Sequence, residues 1–267
     1  IFVNESNCLI VMIFFNSMIN KISVTILTKN SQKYIAECLK ALEKFDEIVV
    51  LDGESSDRTT AIAKEFSNVK VHEHKFIGFG PLKNLATDYA SNNWILSVDS
   101  DEILTLELVK EILELSLDEA TVYSIMRDNY YNHKIIACCG WENDWVNRLF
   151  NRKNTRFNSN SVHESLVLEG NIKIQKLKNR FKHYTYNNPS ELIKKMDIYS
   201  TLWANDNVGV KKSSPSKAIF KALAAFIKSY FFKKGFLQGY EGLLLSINNA
   251  NNVFYKYIKL YELIRRK

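Results

Sequence analysis

"WILSVDSDE" (residues 94–102) joins an apolar run to three carboxylates, Asp99, Asp101 and Glu102. The apolar run predicts a buried strand, and the acids follow where that strand ends. Side chains two apart in an extended segment point the same way, so Asp99 and Asp101 can converge on one point. Convergent carboxylates are costly unless a cation joins them, and hard oxygen ligands suit Mg²⁺ or Mn²⁺. The plainer alternative is a solvated turn whose acids cap the next helix.

Outward from this strand, strand-like and helical segments alternate along the chain. The predicted strands are "KISVTILTKN" (21–30), "DEIVVLDGESS" (46–56), "NVKVHEH" (68–74) and "WILSVD" (94–99), with helical periodicity between them. This order predicts an α/β fold with a mainly parallel central sheet and flanking helices. Asn30 or Ser31 is expected to cap the first helix, and Pro81 to start the third. Ligands of such sheets bind beyond the carboxyl ends of the strands, where the polar clusters fall.

Composition and charge narrow the class of protein. The 267 residues are 46% hydrophobic and 12% aromatic, which excludes a disordered chain. Four cysteines without CxxC spacing indicate free thiols in a reducing cytoplasm. Residues 211–267 carry twelve Lys or Arg against two Glu, a net charge of +10, so the rest sums to −3. A basic end suggests an anionic partner, nucleic acid or lipid; clustered acids at the strand ends would repel a phosphate backbone and argue against nucleic acid.

Several ordered motifs resemble glycosyltransferase family 2, whose catalytic domain has the GT-A fold. They are "SVTILTKN" (23–30), "EIVVLDGESSDRT" (47–59), "LKNLA" (82–86) and the opening stretch. The bacterial lipopolysaccharide-core β-1,4-glucosyltransferase branch is resembled more specifically by "NDWVNRLFNR" (143–152), "VHESL" (162–166) and "KHYTY" (182–186). The likeness covers about residues 21–190 and implies a GT-A, Rossmann-like domain followed by a C-terminal helical extension.

The resemblance implies a nucleotide-sugar site made by Thr28, Asn30, Asp52, Asp57, Lys83, Asp99 and Arg148. Asp52 would read the nucleotide base or ribose. Asp57 has an alternative as a helix cap, and Lys83 as a solvated helix lysine. Arg148 would contact the donor phosphates or an anionic acceptor, because its planar fork suits both.

A divalent metal, Mg²⁺ or Mn²⁺, is implied by the same resemblance. Asp101 would bind it directly, whereas Asp99 would lie nearer the ribose or reach the metal through water. His183 sits where some GT-A enzymes place a further ligand, and the alternative is a structural histidine. "HEH" at 72–74 has no third ligand nearby in the sequence and is not expected to bind metal.

An inverting transferase also needs a general base to take the proton of the acceptor hydroxyl. Glu164, poised by His163, is the first candidate, and Asp144 is the second. The alternative for Glu164 is a salt bridge to Arg148 or Arg156.

The implied reaction is transfer of a single hexose, glucose from UDP-glucose, to a heptose of the lipopolysaccharide inner core. The QxxRW pattern of processive family members is missing, which favours one sugar per encounter. The alternatives are a family 2 transferase for another surface glycan or lipid-linked acceptor, and a non-enzymatic basic protein that binds membrane or nucleic acid.

Three regions are expected along the chain. Residues 1–20 are an N-terminal extension, poorly ordered, with the working protein beginning near Met18. Residues 21–188 form the catalytic domain, with a nucleotide-sugar half (21–125) and an acceptor half (126–188). Residues 189–267 form a basic helical region.

Within the basic region, residues 213–236 predict an amphipathic helix with Lys217, Lys221 and Lys228 on one stripe. Such a helix suits peripheral contact with the cytoplasmic face of the inner membrane, where a lipid A–core acceptor lies. The alternative is a helix packed on the catalytic domain with a solvated lysine edge. The expected location is cytoplasmic and peripheral on that membrane.

Overall fold

The structure is a computed structural model that describes residues 20–160 and 164–266. The predicted extension, the start near Met18 and the role of His163 lie outside the described residues. The chain packs as two units. The first holds the described residues up to Arg127 and Trp145–Lys182, and the second holds Asp128–Asp144 and the residues from His183 onward.

A parallel four-strand arrangement forms one half of the first unit. Its strands are β1 (Ile22–Thr28), β2 (Glu47–Asp52), β3 (Val69–Glu73) and β4 (Trp94–Asp99), in the order β3-β2-β1-β4. Thr28 pairs with Asp52 across β1 and β2, and Leu27 pairs with Asp99 across β1 and β4. The register therefore brings the polar residues that end these strands to the same edge of the sheet.

Three helices fill the connections between these strands, and a fourth follows β4. They are α1 (Ile35–Ala41), α2 (Thr59–Ala63), α3 (Phe79–Tyr89) and α4 (Leu106–Leu113). The predicted cap of α1 by Asn30 or Ser31 is wrong, because no side chain caps this helix and its first turn bonds to the Ser31 carbonyl. Pro81 is the third residue of α3 rather than its first. Its missing N–H costs nothing there, because the first turn of a helix leaves such donors unpaired.

Beyond β4 the sheet becomes mixed. The further strands are β5 (Glu102–Leu104), β6 (Thr121–Tyr131), β7 (Lys134–Ile135), β8 (Asp144–Asn151) and β9 (Lys173–Tyr186). The order continues β4-β8-β6-β9-β5, and β8 runs antiparallel to β4. The predicted α/β fold with flanking helices is confirmed, and its parallel part is the half that carries the polar strand ends.

The second unit is largely helical. It contains α5 (Pro189–Asp206), α6 (Pro215–Ile227) and α7 (Gly239–Arg265), with a π-helical turn (Lys228–Phe232) and a 3₁₀ turn (Gly235–Gln238) between α6 and α7. Asn188 and Ser214 cap α5 and α6 through their side chains. Within the described residues, none of the helices combines the length and apolar character needed to cross a bilayer. The C-terminal helical extension is confirmed, and the functional boundaries at 21–188 and 189–267 stay predictions.

Candidate functional site

Asp52 ties the carboxyl ends of β1 and β2 together. Its Oδ1 accepts hydrogen bonds from the Thr28 hydroxyl at 2.7 Å and the Ser55 hydroxyl at 2.6 Å. Its Oδ2 accepts the Ser55 backbone N–H at 2.7 Å. The carboxylate is buried and held by three donors, so it is fixed in place before any ligand arrives. The predicted contact of Asp52 with the base or ribose stays a prediction.

The loops beyond β1 and β2 are joined by side chains from both. Asn30, in the left-handed region at φ 50°, donates its N–H to the Ser55 hydroxyl and accepts the Ser56 N–H at 2.9 Å. Asp57 accepts the N–H of Thr59, the first residue of α2, at 3.0 Å. Burial opposes the charge of Asp57, but the hydrogen bonds from Thr59 outweigh it and hold the pKa of that carboxyl below its ordinary value. The geometry of Asp57 is thus that of the helix-start alternative.

Asp99, at the end of β4, is gripped by two buried cations. Lys83 Nζ lies 3.0 Å from Oδ1, and Arg148 Nη2 lies 2.6 Å from Oδ2. Burial opposes the charge of Asp99, but Arg148 first and Lys83 second hold the pKa of this carboxyl well below its usual range. The alternative reading of Lys83 as a solvated helix lysine is wrong, because its side chain is only 5% exposed.

Glu102 completes this ion-pair cluster, and it is the residue for which the sequence suggested no role. The carboxylate is fully buried and accepts hydrogen bonds from Arg148 and from the backbone N–H of Asp99. Arg127 lies 3.6 Å away on the same oxygen. Burial raises the pKa of Glu102 to about 7 against the attraction of Arg148. Only the position of Glu102 in the opening acid cluster hinted at it, since nothing in the sequence links it to an arginine on a distant strand.

Arg148 is buried between the two carboxylates. Burial opposes its charge, but Asp99 and Glu102 outweigh that cost and raise the pKa of the guanidinium above its ordinary value. Its Nε is buried without a hydrogen-bond partner.

Glu164 lies next to the same cluster. Its Oε1 is 3.3 Å from Lys83 Nζ, so Lys83 bridges Glu164 and Asp99. Glu164 does form a salt bridge, but the predicted partner, Arg148 or Arg156, is wrong. Arg148 is committed to Asp99 and Glu102, and Arg156 pairs with Asp88.

The residues present fit a divalent cation at the end of β4. Asp101 is a half-buried hard oxygen donor there, whereas both oxygens of Asp99 already face cations. Burial first, and then the charges of Glu102, Asp101 and Asp99, raise the pKa of the nearby Cys38 thiol. In the described ranges, 20–160 and 164–266, no three His, Cys, Asp or Glu side chains form a complete metal-binding group. Substrate oxygens and water would complete the coordination.

The second unit holds the remaining two predicted site residues. His183 is buried, and its Nδ1 lies 2.6 Å from the Asn129 amide oxygen. The Asn129 amide nitrogen donates to Asp144 Oδ2 at 2.8 Å. Asn129 therefore links His183 to Asp144, a connection that sequence spacing did not show.

The first unit thus contains most of the predicted residues: Thr28, Asn30, Asp52, Asp57, Lys83, Asp99, Asp101, Arg148 and Glu164. A Ser31–Ser100 hydrogen bond of 2.8 Å joins the β1 loop to the turn after β4. The arrangement places the half-buried acids Asp99, Asp101 and Glu164 beside the buried side chains of Lys83, Glu102 and Arg148, at the sheet edge where ligands of such folds bind.

One family model and several known proteins match this chain in sequence. The family model "Glycosyl transferase family 2" matches residues 23–165. An uncharacterized glycosyltransferase of Rickettsia typhi is 30% identical over 262 residues, covering 91% of this chain and 87% of the relative. The lipopolysaccharide core biosynthesis glycosyltransferase LpsC of Rhizobium meliloti is 28% identical over 255 residues, covering 90% and 92% of the two chains.

A solved structure shares the fold. The mannosyltransferase PcManGT of Pyrobaculum calidifontis, solved with GDP-Man and Mn²⁺, superposes with a TM-score of 0.54 at 12% identity. The match covers 92% of this chain and 88% of that one. It supports the GT-A fold for this chain.

Proposed function

The chain belongs to glycosyltransferase family 2, and on that premise we propose that it moves one hexose, glucose from UDP-glucose, to a heptose of the lipopolysaccharide inner core. The observation that carries the proposal is the ion-paired Asp99 beside Asp101 at the carboxyl end of β4. A charge-balanced buried cluster with one adjoining acid suits a nucleotide diphosphate held through a cation better than it suits a bare polyanion.

Donor binding is proposed to begin with the fixed acids. Lys83 and Arg148 keep Asp99 ionised and hold its direction, so the carboxylate is ready to accept a hydrogen bond from a ribose hydroxyl. Asp52, held by Thr28 and Ser55, is proposed to receive a donor group of the base or ribose. These groups are already in place, so little ordering cost falls on the binding step.

Asp101 is proposed to hold Mg²⁺ or Mn²⁺, and the metal role of His183, which lies in the second unit, stays a prediction. When bound, such an ion neutralises the diphosphate that departs and acts as a Lewis acid. PcManGT, which shares the fold, was solved with Mn²⁺. The chain's own part is to supply a hard oxygen ligand next to an acid that two cations have already paired.

Glu164 is proposed as the general base of an inverting transfer. The base takes the proton of the acceptor hydroxyl while that oxygen attacks the anomeric carbon from the face opposite the nucleotide. The ion pair with Lys83 orients the Glu164 carboxylate and couples it to Asp99. Asp144, hydrogen-bonded to Asn129, is the second candidate.

The acceptor proposal is supported by LpsC, which is named for lipopolysaccharide core biosynthesis and matches 90% of this chain. A lipid-anchored acceptor fits an enzyme that works in the cytoplasm on the inner face of the membrane, touching it through residues 213–236. A different surface glycan or lipid-linked acceptor is the alternative, and transfer assays with both kinds of acceptor distinguish the two.

The test is calorimetric titration of UDP-glucose, UDP-GlcNAc and GDP-mannose, each with and without Mn²⁺. We expect one donor to bind only with metal, and Asp101→Ala to lose that binding. Asp46→Ala, an exposed acid at the other end of the sheet, is the matched control and should bind as wild type does. Donor binding without Mn²⁺, or unchanged binding by Asp101→Ala, would contradict the proposal. Transfer of labelled glucose to heptose-terminated core, but not to other lipid-linked glycans, tests the acceptor.

A further inference from the structure

Helix α6 exposes an apolar stripe along its length. The exposed side chains recur at helical spacing and continue into the π-helical turn: Ile219, Phe220, Leu223, Ile227 and Phe231. Phe220 alone is 72% exposed. A helix on the surface of a water-soluble protein normally turns such a stripe toward the core and shows polar residues to water. The stripe of α6 therefore requires a partner other than water.

The connection from α6 to α7 extends the same surface. Phe231, Phe232, Phe236 and Leu237 are exposed, with Phe232 at 79%. An aromatic side chain offers about 150–250 Å² in full, so Phe220 and Phe232 together bare about 300 Å². That area approaches the largest apolar patch of a typical monomer before the other members are counted. We call residues 215–237 with these outward side chains the apolar face.

The backbone holds the apolar face in place. A Cβ on Gly242 would lie 1.9 Å from the Gly235 carbonyl oxygen, so the two backbones are in direct contact. Lys234, in the left-handed region at φ 56°, makes the preceding reversal. The chain thus reverses tightly between α6 and α7, and Phe236 and Leu237 sit on a rigid turn rather than on a loose loop.

Polar groups occupy the inner side of this reversal. Ser229 and Ser246 are buried and hydrogen-bonded to each other at 3.1 Å, and the Asn249 amide donates to Ser229 at 3.0 Å. Serines therefore point inward where phenylalanines point outward. Small side chains at a close contact between helices, with large apolar side chains on the outside, are typical of helices whose outer side meets lipid.

The charge around the apolar face indicates which partner covers it. Residues 207–240 contain seven lysines and no Asp or Glu. On α6, Lys217, Lys221 and Lys228 fall along one edge of the apolar stripe at 100° per residue. A second copy of this chain would place like charges against each other, whereas an anionic lipid surface offers complementary charge and an apolar interior. The lysines would lie at the headgroup phosphates while the stripe lies deeper.

We infer that the apolar face inserts into the boundary between headgroups and acyl chains of an anionic membrane, with Phe231, Phe232, Phe236 and Leu237 as its deepest side chains. This goes beyond a lysine-mediated contact, because insertion rather than charge supplies most of the anchoring. Binding therefore persists in part at high salt, which screens the lysines but leaves the apolar term. The inference needs neither donor nor metal, so its failure is distinct from failure of the proposed transferase activity.

The first test is flotation of the full chain with vesicles of phosphatidylglycerol and phosphatidylethanolamine in equal parts. We expect Phe231→Ser/Phe232→Ser to lower the partition coefficient at least about tenfold. Leu106→Ser, which removes a 72% exposed apolar residue from α4, is the matched control and should float as wild type does. Circular dichroism must show both variants folded, as expected for exposed positions. Equal flotation of the double variant and wild type would overturn the inference.

A second variant reports insertion directly. Phe232→Trp adds one indole to the four native tryptophans, and its emission should shift to shorter wavelength on vesicles. Brominated acyl chains should quench this added emission more than the wild-type emission. If the variant binds vesicles but its added indole is not quenched, the side chain at position 232 lies in water and insertion is refuted. A different result would assign the apolar face to a second copy of the chain. In that case wild type forms reversible dimers and does not bind vesicles, and the double serine variant forms no dimers.

Discussion

The variant Glu47→Gln tests the stability of the sheet separately from donor binding at the carboxyl ends of its strands. Glu47 begins β2, at the end of the sheet opposite the acid cluster. Its buried carboxylate accepts the hydroxyls of Ser23 and Ser91, the backbone N–H of Ser91, and the ammonium of Lys70 at 2.8 Å. It therefore ties the starts of β1, β2 and β3 to the turn before β4. Glutamine keeps the shape and removes the charge, while Lys70, at 59% exposed, is left solvated.

The magnitude follows from the pKa. Burial opposes the charge of Glu47, but the Lys70 and serine hydrogen bonds outweigh it and lower the pKa from 4.5 to about 2. A difference of about 2.5 pH units, at about 1.4 kcal/mol each, is about 3 kcal/mol of stability. Because the folded-state pKa is lowered, this stability is present above pH 4.5 and is lost as the pH falls through 2.

The assay is urea unfolding of wild type, Glu47→Gln and Glu43→Gln across pH 2 to 7. We expect Glu47→Gln to lose about 3 kcal/mol at pH 7, less than half of that near pH 3, and almost nothing at pH 2. Glu43→Gln, an exposed acid nearby, should change stability by no more than about 0.5 kcal/mol. Donor binding by Glu47→Gln should equal that of wild type. A stability loss that does not change with pH would refute the reasoning, because the lowered pKa would not be its cause.

Three further outcomes are expected. Arg148→Met should destabilise the chain by about 3 kcal/mol or more in urea, because it leaves the buried Glu102 and the half-buried Asp99 without their main counter-charge; unchanged stability would contradict the ion-pair geometry. Gly242→Ala should cost about 3 kcal/mol, since its Cβ would meet the Gly235 carbonyl; a thermal midpoint equal to that of wild type would show that the backbones separate easily. Glu164→Gln should lower kcat at least about 100-fold with the donor KM little changed, whereas Asp144→Asn should lower kcat less; the opposite order would make Asp144 the base.

Local patterns were enough to predict the parallel half of the fold. The β-branched runs of β1, β2 and β4 are buried on both faces, and such runs read the same way in sequence and in structure. The caps of α5 and α6 were equally readable, since Asn-Pro and Ser-Pro pairs set both the cap and the first helical residue. The cap of α1 was not readable, because the backbone carbonyl of Ser31 takes the place of a capping side chain. Every residue has such a carbonyl, so the sequence gives no signal for it.

The sequence singled out most members of the ion-pair cluster but none of their pairings. Asp99, Lys83 and Arg148 each stood out, yet the ion pairs among them span 16 and 49 residues of sequence. Spacing rules reach only along one element, so contacts between strands and helices depend on the folded register. Glu102 shows the limit most clearly, since a charged residue in sequence looks solvated until the fold buries it.

The buried cluster also explains why a stable apolar packing is not found at this edge of the sheet. Buried ion pairs recover little more than their desolvation cost, so Arg148 between Asp99 and Glu102 adds little net stability over hydrophobic residues of the same size. What the pairs do supply is a carboxylate that stays ionised and oriented while partly open to solvent. The cluster is best understood as stability given up for a preorganised anion, and variants that improve packing there should gain stability and lose donor binding together.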